Sequence, residues 1–246
     1  INVVLGNRLT AIAGQNGTGK STILGHVCKE KTNFKTFDNK RFETDYSEIF
    51  KFSFPDFDKP KEHLYEVNFS DNTSTQVMSY ARKEKNKPES LRLRVGQSTN
   101  EGGKIDFPVL FLGLKRLIPI AQERKVDLSD HSLSEDELAF YVKSHNEILL
   151  MQDEISSDEV KTTSKHFLAA KSANYDALGN SAGQDNIGQI VTSIISFQRL
   201  KQQLGDDYNG GILLIDELDA SMYWKKLFLK NLYMNYFIEA ITKWRD

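Results

Sequence analysis

Eight consecutive residues carry the clearest chemistry in this chain. Gly14-Gln15-Asn16-Gly17-Thr18-Gly19-Lys20-Ser21 fills every fixed position of the pattern G-x-x-x-x-G-K-[ST]. Glycines at these positions let the backbone turn tightly and aim its N–H groups at phosphate oxygens. Lys20 brings a compact positive charge to the β- and γ-phosphates of a nucleoside triphosphate, and the Ser21 hydroxyl is a hard oxygen ligand for Mg2+. An ordinary glycine-rich turn would need neither the lysine nor the serine. The context also fits. Leu9–Ala13 ahead of the loop reads as a strand, and 21–28 behind it reads as a helix with Ile23, Leu24 and Val27 on one side. The helix start adds free N–H groups and a positive dipole end to the anion cradle.

Such a loop needs an acidic partner at the end of a buried strand. Gly211-Ile212-Leu213-Leu214-Ile215-Asp216-Glu217 supplies one. Asp216 is expected to hold Mg2+ with Ser21, through water, and Glu217 to orient or deprotonate the attacking water. Alone, Asp216-Glu217 is equally an ordinary acidic pair at a strand end; the complete loop is what singles it out. Lys20 and Glu217 are therefore the expected catalytic pair of a P-loop NTPase.

The rest of the chain must position these two segments. Val3–Leu5 reads as a short strand before the Gly6-Asn7 turn. Between 31 and 105, aromatic and β-branched runs (Phe50–Phe54, His63–Phe69, Thr75–Tyr80, Leu91–Val95) alternate with polar turns, the pattern of an antiparallel lobe. Phe107–Leu114 is nearly all apolar and reads as a strand buried on both faces. Residues 119–170 read as helical, with Ser134 and Glu137 in capping-box spacing ahead of Leu138, Tyr141 and Val142. Heptads are not sustained, so no long coiled coil is expected. Residues 171–186 read as a loop. Ile187, Ile190, Val191, Ile194 and Ile195 follow at helical spacing, and 222–246 reads as helical and rich in aromatics.

Three segments together resemble a family. Gly14–Thr22 is similar to the GxNGxGKST form of ABC-type ATPases, including the SMC, RecF and OLD-like branches, which adds Asn16 and Thr22 to Gly17, Thr18, Gly19, Lys20 and Ser21 as expected ATP contacts. Asn180-Ser181-Ala182-Gly183-Gln184 resembles the family's signature motif, about 35 residues before Asp216; by itself it would read as a polar loop with helix-capping residues. Leu218-Asp219-Ala220 resembles the D-loop. The resemblance implies an α/β ABC-ATPase head over 1–246, with the P-loop and an antiparallel β lobe in 1–118, a short helical insertion in 119–175, and a signature and Walker B lobe in 176–246. It implies ATP rather than GTP. It implies that two heads, in a homodimer or higher oligomer, sandwich nucleotide, with Ser181, Gly183 and Gln184 capping the γ-phosphate bound by the other head. The phrases 181–189 and 113–119 look most like OLD-like bacterial ATPases such as the PtuA ATPase of Septu and some retron systems, which implies a nuclease partner and anti-phage defence. A RecF-like ATPase acting on DNA and a nucleotide-gated scaffold with little turnover are the alternative readings.

The chain departs from the pattern in three places. The family's head continues past the D-loop to a strand ending in a switch histidine, and no histidine follows His166. Either that strand is missing or another residue stands in. Ser221–Lys225 replaces the usual His-Pro, as it would if the sequence were joined across missing residues. Gln122 is the candidate Q-loop residue, although it lies several residues beyond the apolar run.

Composition narrows the partners. The chain has 246 residues, 39% hydrophobic and 27% charged, with a formal net charge of −2. It is not a uniformly basic nucleic-acid binder, so any DNA or RNA contact needs a local patch. The candidates are Arg82–Lys87 with Arg92 and Arg94, which read equally as a solvated strand edge, and Lys115-Arg116. Cys28 is the single cysteine, so no internal disulfide forms, in keeping with the cytoplasm. No apolar run is long enough for a transmembrane helix and no signal-peptide pattern opens the chain, which begins without Met as the interior of a longer sequence would. The five histidines lack metal-ligand spacing.

Overall fold

A computed structural model describes residues 2–6, 9–27, 34–42, 44, 46–49, 52–69, 72–86, 88–96 and 107–218, with the backbone alone of 46, 47 and 237–241. The elements run β1 (Leu9–Ala13), α1 (Lys20–Val27), the single turn α2 (Tyr46–Ile49), β2 (Leu64–Asn68), β3 (Ser74–Arg82), β4 (Ser90–Val95) and β5 (Val109–Leu112). Then come β6 (Val126–Asp130), α3 (Glu135–Leu149), β7 (Ile155–Thr162), β8 (His166–Ser172), α4 (Ala182–Leu204), β9 (Ile212–Asp216) and β10 (Phe237–Ile241). The architecture is mixed α/β.

A parallel sheet in the order β1-β10-β9-β5 forms the centre. Alternation along its strands splits the core into two layers. Ile212 and Leu214 of β9, with Val109 and Phe111 of β5, join Leu24 and Val27 of α1 on one face. Leu213 and Ile215, with Leu110 and Leu112, meet Ile190, Ile194 and Phe197 of α4 on the other. β9 is therefore buried on both sides, as a continuous apolar run demands. β5 lies at the sheet edge, and of its four residues only Val109 is fully buried, less enclosure than its composition predicts.

α4 is the central helix of the molecule. Its apolar positions form two stripes rather than the single face read from sequence. Ile190, Ile194 and Phe197 face the parallel sheet, whereas Ile187, Val191 and Ile195 pack on Leu168 and Ala170 of β8 and Tyr141 of α3. Two adjoining apolar stripes let one helix pack against two layers at once. The approach to β8 is close: a Cβ on Gly188 would lie 2.2 Å from the Leu168 carbonyl oxygen. Thr192 accepts from the Leu168 N–H (2.9 Å) and donates to the Gly188 carbonyl (2.7 Å), so its hydroxyl is satisfied inside the contact.

The second layer corrects the helical reading of 119–175. Only α3 is an α-helix there; β6, β7 and β8 form an antiparallel meander. Val160, Phe167 and Ala169 supply one buried face, Leu168 and Ala170 of β8 pack on α4 from the other, and the many charged residues of β6 and β7 leave no clean period of two in the sequence. α3 itself starts as expected, with both halves of the capping box formed by Ser134 and Glu137. Arg199 of α4 grips Glu137 with two bonds (2.6 and 2.8 Å), which holds the Glu137 carboxyl below its ordinary range and fastens α3 to α4.

Other boundaries also shift. Val3–Leu5 is exposed and not a strand, since nothing pairs with it among the described residues. Phe52–Phe57 is a run of turns; Phe50 and Lys51 lie outside the described residues. β2–β3–β4 is antiparallel as expected, and lies beside α1, where the Tyr65 hydroxyl donates to the His26 carbonyl (3.0 Å). Arg82 pairs with Glu84, Lys83 with Glu89, and Arg94 sits over the Tyr80 ring, so these basic residues have local partners on the lobe. The expected loop 171–186 contains the end of β8, a 3-10 turn at Ala177–Gly179 and the first turn of α4. Within 222–246, the segment 237–241 is a strand rather than helix. Two strands flank its backbone, so sheet pairing overrides the local helical reading. Among the described residues, no helix is long and apolar enough to cross a membrane.

Candidate functional site

The site lies at the carboxyl ends of the parallel strands, the usual ligand crevice of an open α/β sheet. β1 ends at Ala13, and Gly14–Gly19 turns into α1. Gly17 and Gly19 sit at φ 79° and 89°, the left-handed region that glycine enters without steric cost. Thr18 closes the loop by donating to the Gln15 carbonyl (2.8 Å). Asn16, Gly17 and Thr18 are exposed, as is Thr22 on α1. Lys20 is 7% exposed, and its ammonium donates to the carbonyls of Gly14 and Gln15, both at 2.8 Å. The lysine thus straps the loop into its curve with its charge underneath the exposed N–H groups.

Asp216 is brought to this loop from 195 residues away. Ile12, Ala240 and Asp216 lie level across β1, β10 and β9. Two strand spacings, roughly 9–10 Å, separate the outer two. The Ser21 hydroxyl closes that gap by donating to Asp216 Oδ2 at 3.0 Å. One hydroxyl and one carboxylate, both hard oxygens, fit Mg2+, which takes few protein ligands and completes its octahedron with phosphate and water. Among the described residues, no group of three or more His, Cys, Asp and Glu is placed to hold a metal. A Mg2+ shared with a substrate phosphate needs none. Glu217 follows Asp216 in a left-handed conformation, φ 51°, which a non-glycine residue adopts only when its surroundings hold it there.

Much of that hold comes from Arg116. Lys115-Arg116 is among the candidate nucleotide or nucleic-acid contacts in the sequence, but the structure buries Arg116 to 2% exposure. Its guanidinium donates to Asn186 Oδ1 (2.9 Å), to the carbonyls of Leu112 (3.0 Å) and Gly113 (3.1 Å), and to the Glu217 carbonyl (2.8 Å). Gln189 donates to the Arg116 carbonyl (2.9 Å), and Asp185 accepts from the Ile120 N–H (2.8 Å). Sequence reasoning missed Asp185, Asn186 and Gln189. The available signal was that these three residues lie around Ile187 and Ile190, where the helix turns apolar.

Asp185 gives this network a pH dependence. Burial pushes its carboxyl up to about 6, against the opposing pull of the Ile120 N–H and the nearby Lys165. In the unfolded chain it ionises near pH 4. Below that value both states are protonated and the group makes no difference. Above about 6 the fold carries a buried carboxylate, and the cost is fully present. Asp185→Asn keeps an oxygen for Ile120 and cannot ionise. Its melting temperature is expected to exceed that of the unaltered chain by a few degrees at about pH 8, with the two converging near pH 4. Thermal denaturation at both pH values checks this; an equal offset at both would refute it.

The signature-like residues form the start of α4. Ser181 is the N-cap: its hydroxyl accepts from the Gln184 N–H (3.3 Å), and Gln184 Oε1 accepts from the Ser181 N–H (2.9 Å). Ser181 is exposed, Gly183 half-buried. Among the described residues no hydrogen bond joins Ser181, Gly183 or Gln184 to Gly14–Ser21 or Asp216. The two halves of the expected site are thus not hydrogen-bonded to each other among the described residues.

A cavity of about 460 Å3 opens beside Asp216. Its walls include Gly113 and Lys115 after β5, Arg41 (bridged to Lys35), Lys165 of the β7–β8 turn, His166 at the start of β8, and Ser193 of α4. Several of its nitrogen-bearing side chains are engaged by the protein: Lys165 bonds the Ile118 carbonyl, Lys40 the Asp38 carboxylate, and the His166 ring sits between Asp38 and Glu159. Gln122 is exposed at the end of a 3-10 turn and does not line this cavity. Cys28, Asp219, Ala220 and Ser221–Lys225 lie outside the described residues. A strand does follow β9 in the chain: β10 lies between β1 and β9, and the residues after it lie outside the described set. No protein-family model and no curated protein matches the chain.

Proposed function

We propose that the chain is a P-loop ATPase of ABC-head type that binds and hydrolyses Mg-ATP and whose nucleotide-driven pairing of heads regulates a partner. The observation that carries this reading is the Ser21–Asp216 hydrogen bond at 3.0 Å. It joins a complete phosphate-loop pattern to an acidic strand end across a parallel sheet. The Gly14–Gly19 N–H groups and Lys20 bind the phosphates. Ser21 and Asp216 would hold Mg2+, which would supply charge neutralisation for the phosphates. Glu217 orients water in line with the γ-phosphorus and accepts its proton.

The pairing of heads rests on α4. Ser181 and the first N–H groups of this 23-residue helix form an exposed anion-binding end that, among the described residues, is not hydrogen-bonded to its own chain's phosphate loop. In a head-to-head dimer that end caps the γ-phosphate held by the other copy, and loss of the phosphate loosens the pair. The nuclease partner and a role in anti-phage defence rest on the OLD-like resemblance of 113–119 and 181–189.

Phosphate release per subunit, measured over a wide range of protein concentration, tests the reading. Turnover is expected to rise with concentration and then level off. Turnover independent of concentration down to dissociated monomer would refute the paired-head mechanism. ATP binding with no turnover would favour a nucleotide-gated scaffold, and turnover stimulated by DNA with salt-sensitive binding a RecF-like role.

A further inference from the structure

Arg116 has an environment that packing alone does not require. A buried guanidinium is costly unless its donors are satisfied. Here it is satisfied by three separate elements: the carboxyl end of β5, the residue after β9, and α4. A methionine or leucine would fill the volume without ordering distant parts of the chain. The Arg116–Glu217 bond fixes the Glu217 carbonyl, and with it a peptide plane in a left-handed conformation. That plane sets the direction in which the Glu217 side chain leaves the backbone.

The same arginine is carried by α4. Asn186 holds its Nε, Gln189 holds its own carbonyl, and Asp185 holds the Ile120 N–H four residues on. Residues 116–120 are therefore bolted to the first turns of the helix that begins at Ser181. A shift or rotation of α4 displaces Asn186, and through Arg116 the Glu217 peptide. Directional hydrogen bonds transmit such a displacement because they weaken steeply off axis.

We propose that Arg116 is the positioning residue that couples the N-terminal turns of α4, and so whatever engages Ser181, to the orientation of Glu217. This deepens the ATPase reading and rests on it. Hydrolysis then depends on a correctly seated α4, and a head whose α4 end is unengaged turns over slowly even with ATP bound.

The test separates the link from the base it serves. Asn186→Leu keeps the volume of the side chain and removes the acceptor for Arg116. Its kcat is expected to fall about ten- to a hundredfold, since a misplacement of about 1 Å carries that effect. The Kd for Mg-ATP should stay within about twofold, because the Gly14–Ser21 loop and Asp216 are untouched. Asn186→Asp keeps the acceptor oxygen and should recover most of the kcat; a generic packing role predicts no such rescue. If Asn186→Leu does not fold, Gln189→Leu, which frees the Arg116 carbonyl, should lower kcat in the same direction by a smaller factor. Unchanged kcat in either folded variant overturns the proposal, as does loss of kcat matched by equal loss of ATP binding. Glu217→Gln serves as the control. If it silences turnover while Asn186→Leu does not, only the coupling fails; if Glu217→Gln turns over normally, the underlying reading fails and the coupling with it.

Discussion

Glu217→Gln is expected to lower ATP turnover by about two to four orders of magnitude while leaving Mg-ATP bound. Glutamine matches the shape of glutamate and can still hold a water, but it cannot take up the proton as the γ-phosphate is attacked. Asp216, 8% exposed and bonded to Ser21, is untouched, so the metal ligands and the phosphate loop keep their geometry. The loss should therefore fall on kcat rather than on binding. Single-turnover phosphate release together with equilibrium binding of Mg-ATP measures both quantities on the same protein. The variant should also accumulate paired heads, because the step that loosens them is slow. A fall of less than about threefold would remove Glu217 from the role of base.

Lys20→Ala should act differently, raising the Kd for Mg-ATP and abolishing detectable turnover. The ammonium makes two 2.8 Å bonds to loop carbonyls, and on the proposed reading it provides the charge nearest the phosphates. A charge-assisted hydrogen bond is worth about 1.5–3 kcal/mol, which corresponds to a Kd rise of roughly 10- to 100-fold. The strap on the loop is lost as well, so its N–H groups are less well aimed. Lys20→Arg should not rescue, since a planar guanidinium does not replace a point charge in so small a space. Calorimetric titration with Mg-ATP measures the shift. Wild-type affinity in a folded Lys20→Ala protein would show that the loop does not bind phosphate through this lysine.

The two phrases that carry the narrower family resemblance are bonded to each other. Arg116 of 113–119 meets Asn186 of 181–189, and Gln189 meets the Arg116 carbonyl. Nothing in their linear spacing announces this, because 70 residues and a three-stranded meander separate them. The contact gives the resemblance a physical content: both phrases serve one junction between α4 and the carboxyl ends of the sheet.

Local chemistry was legible in the sequence where a residue's own neighbours impose its conformation. Gly17 and Gly19 are at positive φ because the turn admits little else, and Ser134 and Ser181 cap helices with partners three residues on. Ile212–Ile215 could only be a buried strand, so Asp216 had to emerge at a strand end. The sequence by itself therefore determined the phosphate-loop pattern and its acidic partner; it foresaw α4 from Ile187 but read its first turn, from Ala182, as loop. Elements whose identity depends on distant neighbours were misread. β6–β8 pair edge to edge, and the charged residues of β6 and β7 left no clean period of two. β10 is a strand because β1 and β9 leave a place between them, not because 237–241 prefers to be one. Only the tertiary structure decided that Ser21 reaches Asp216, that Arg116 is a buried junction rather than a surface cation, and that Ser181, among the described residues, is not hydrogen-bonded to its own phosphate loop. Hydrogen bonds across 70 to 195 residues are set by how layers stack, and a linear pattern records each layer's faces without recording which faces meet.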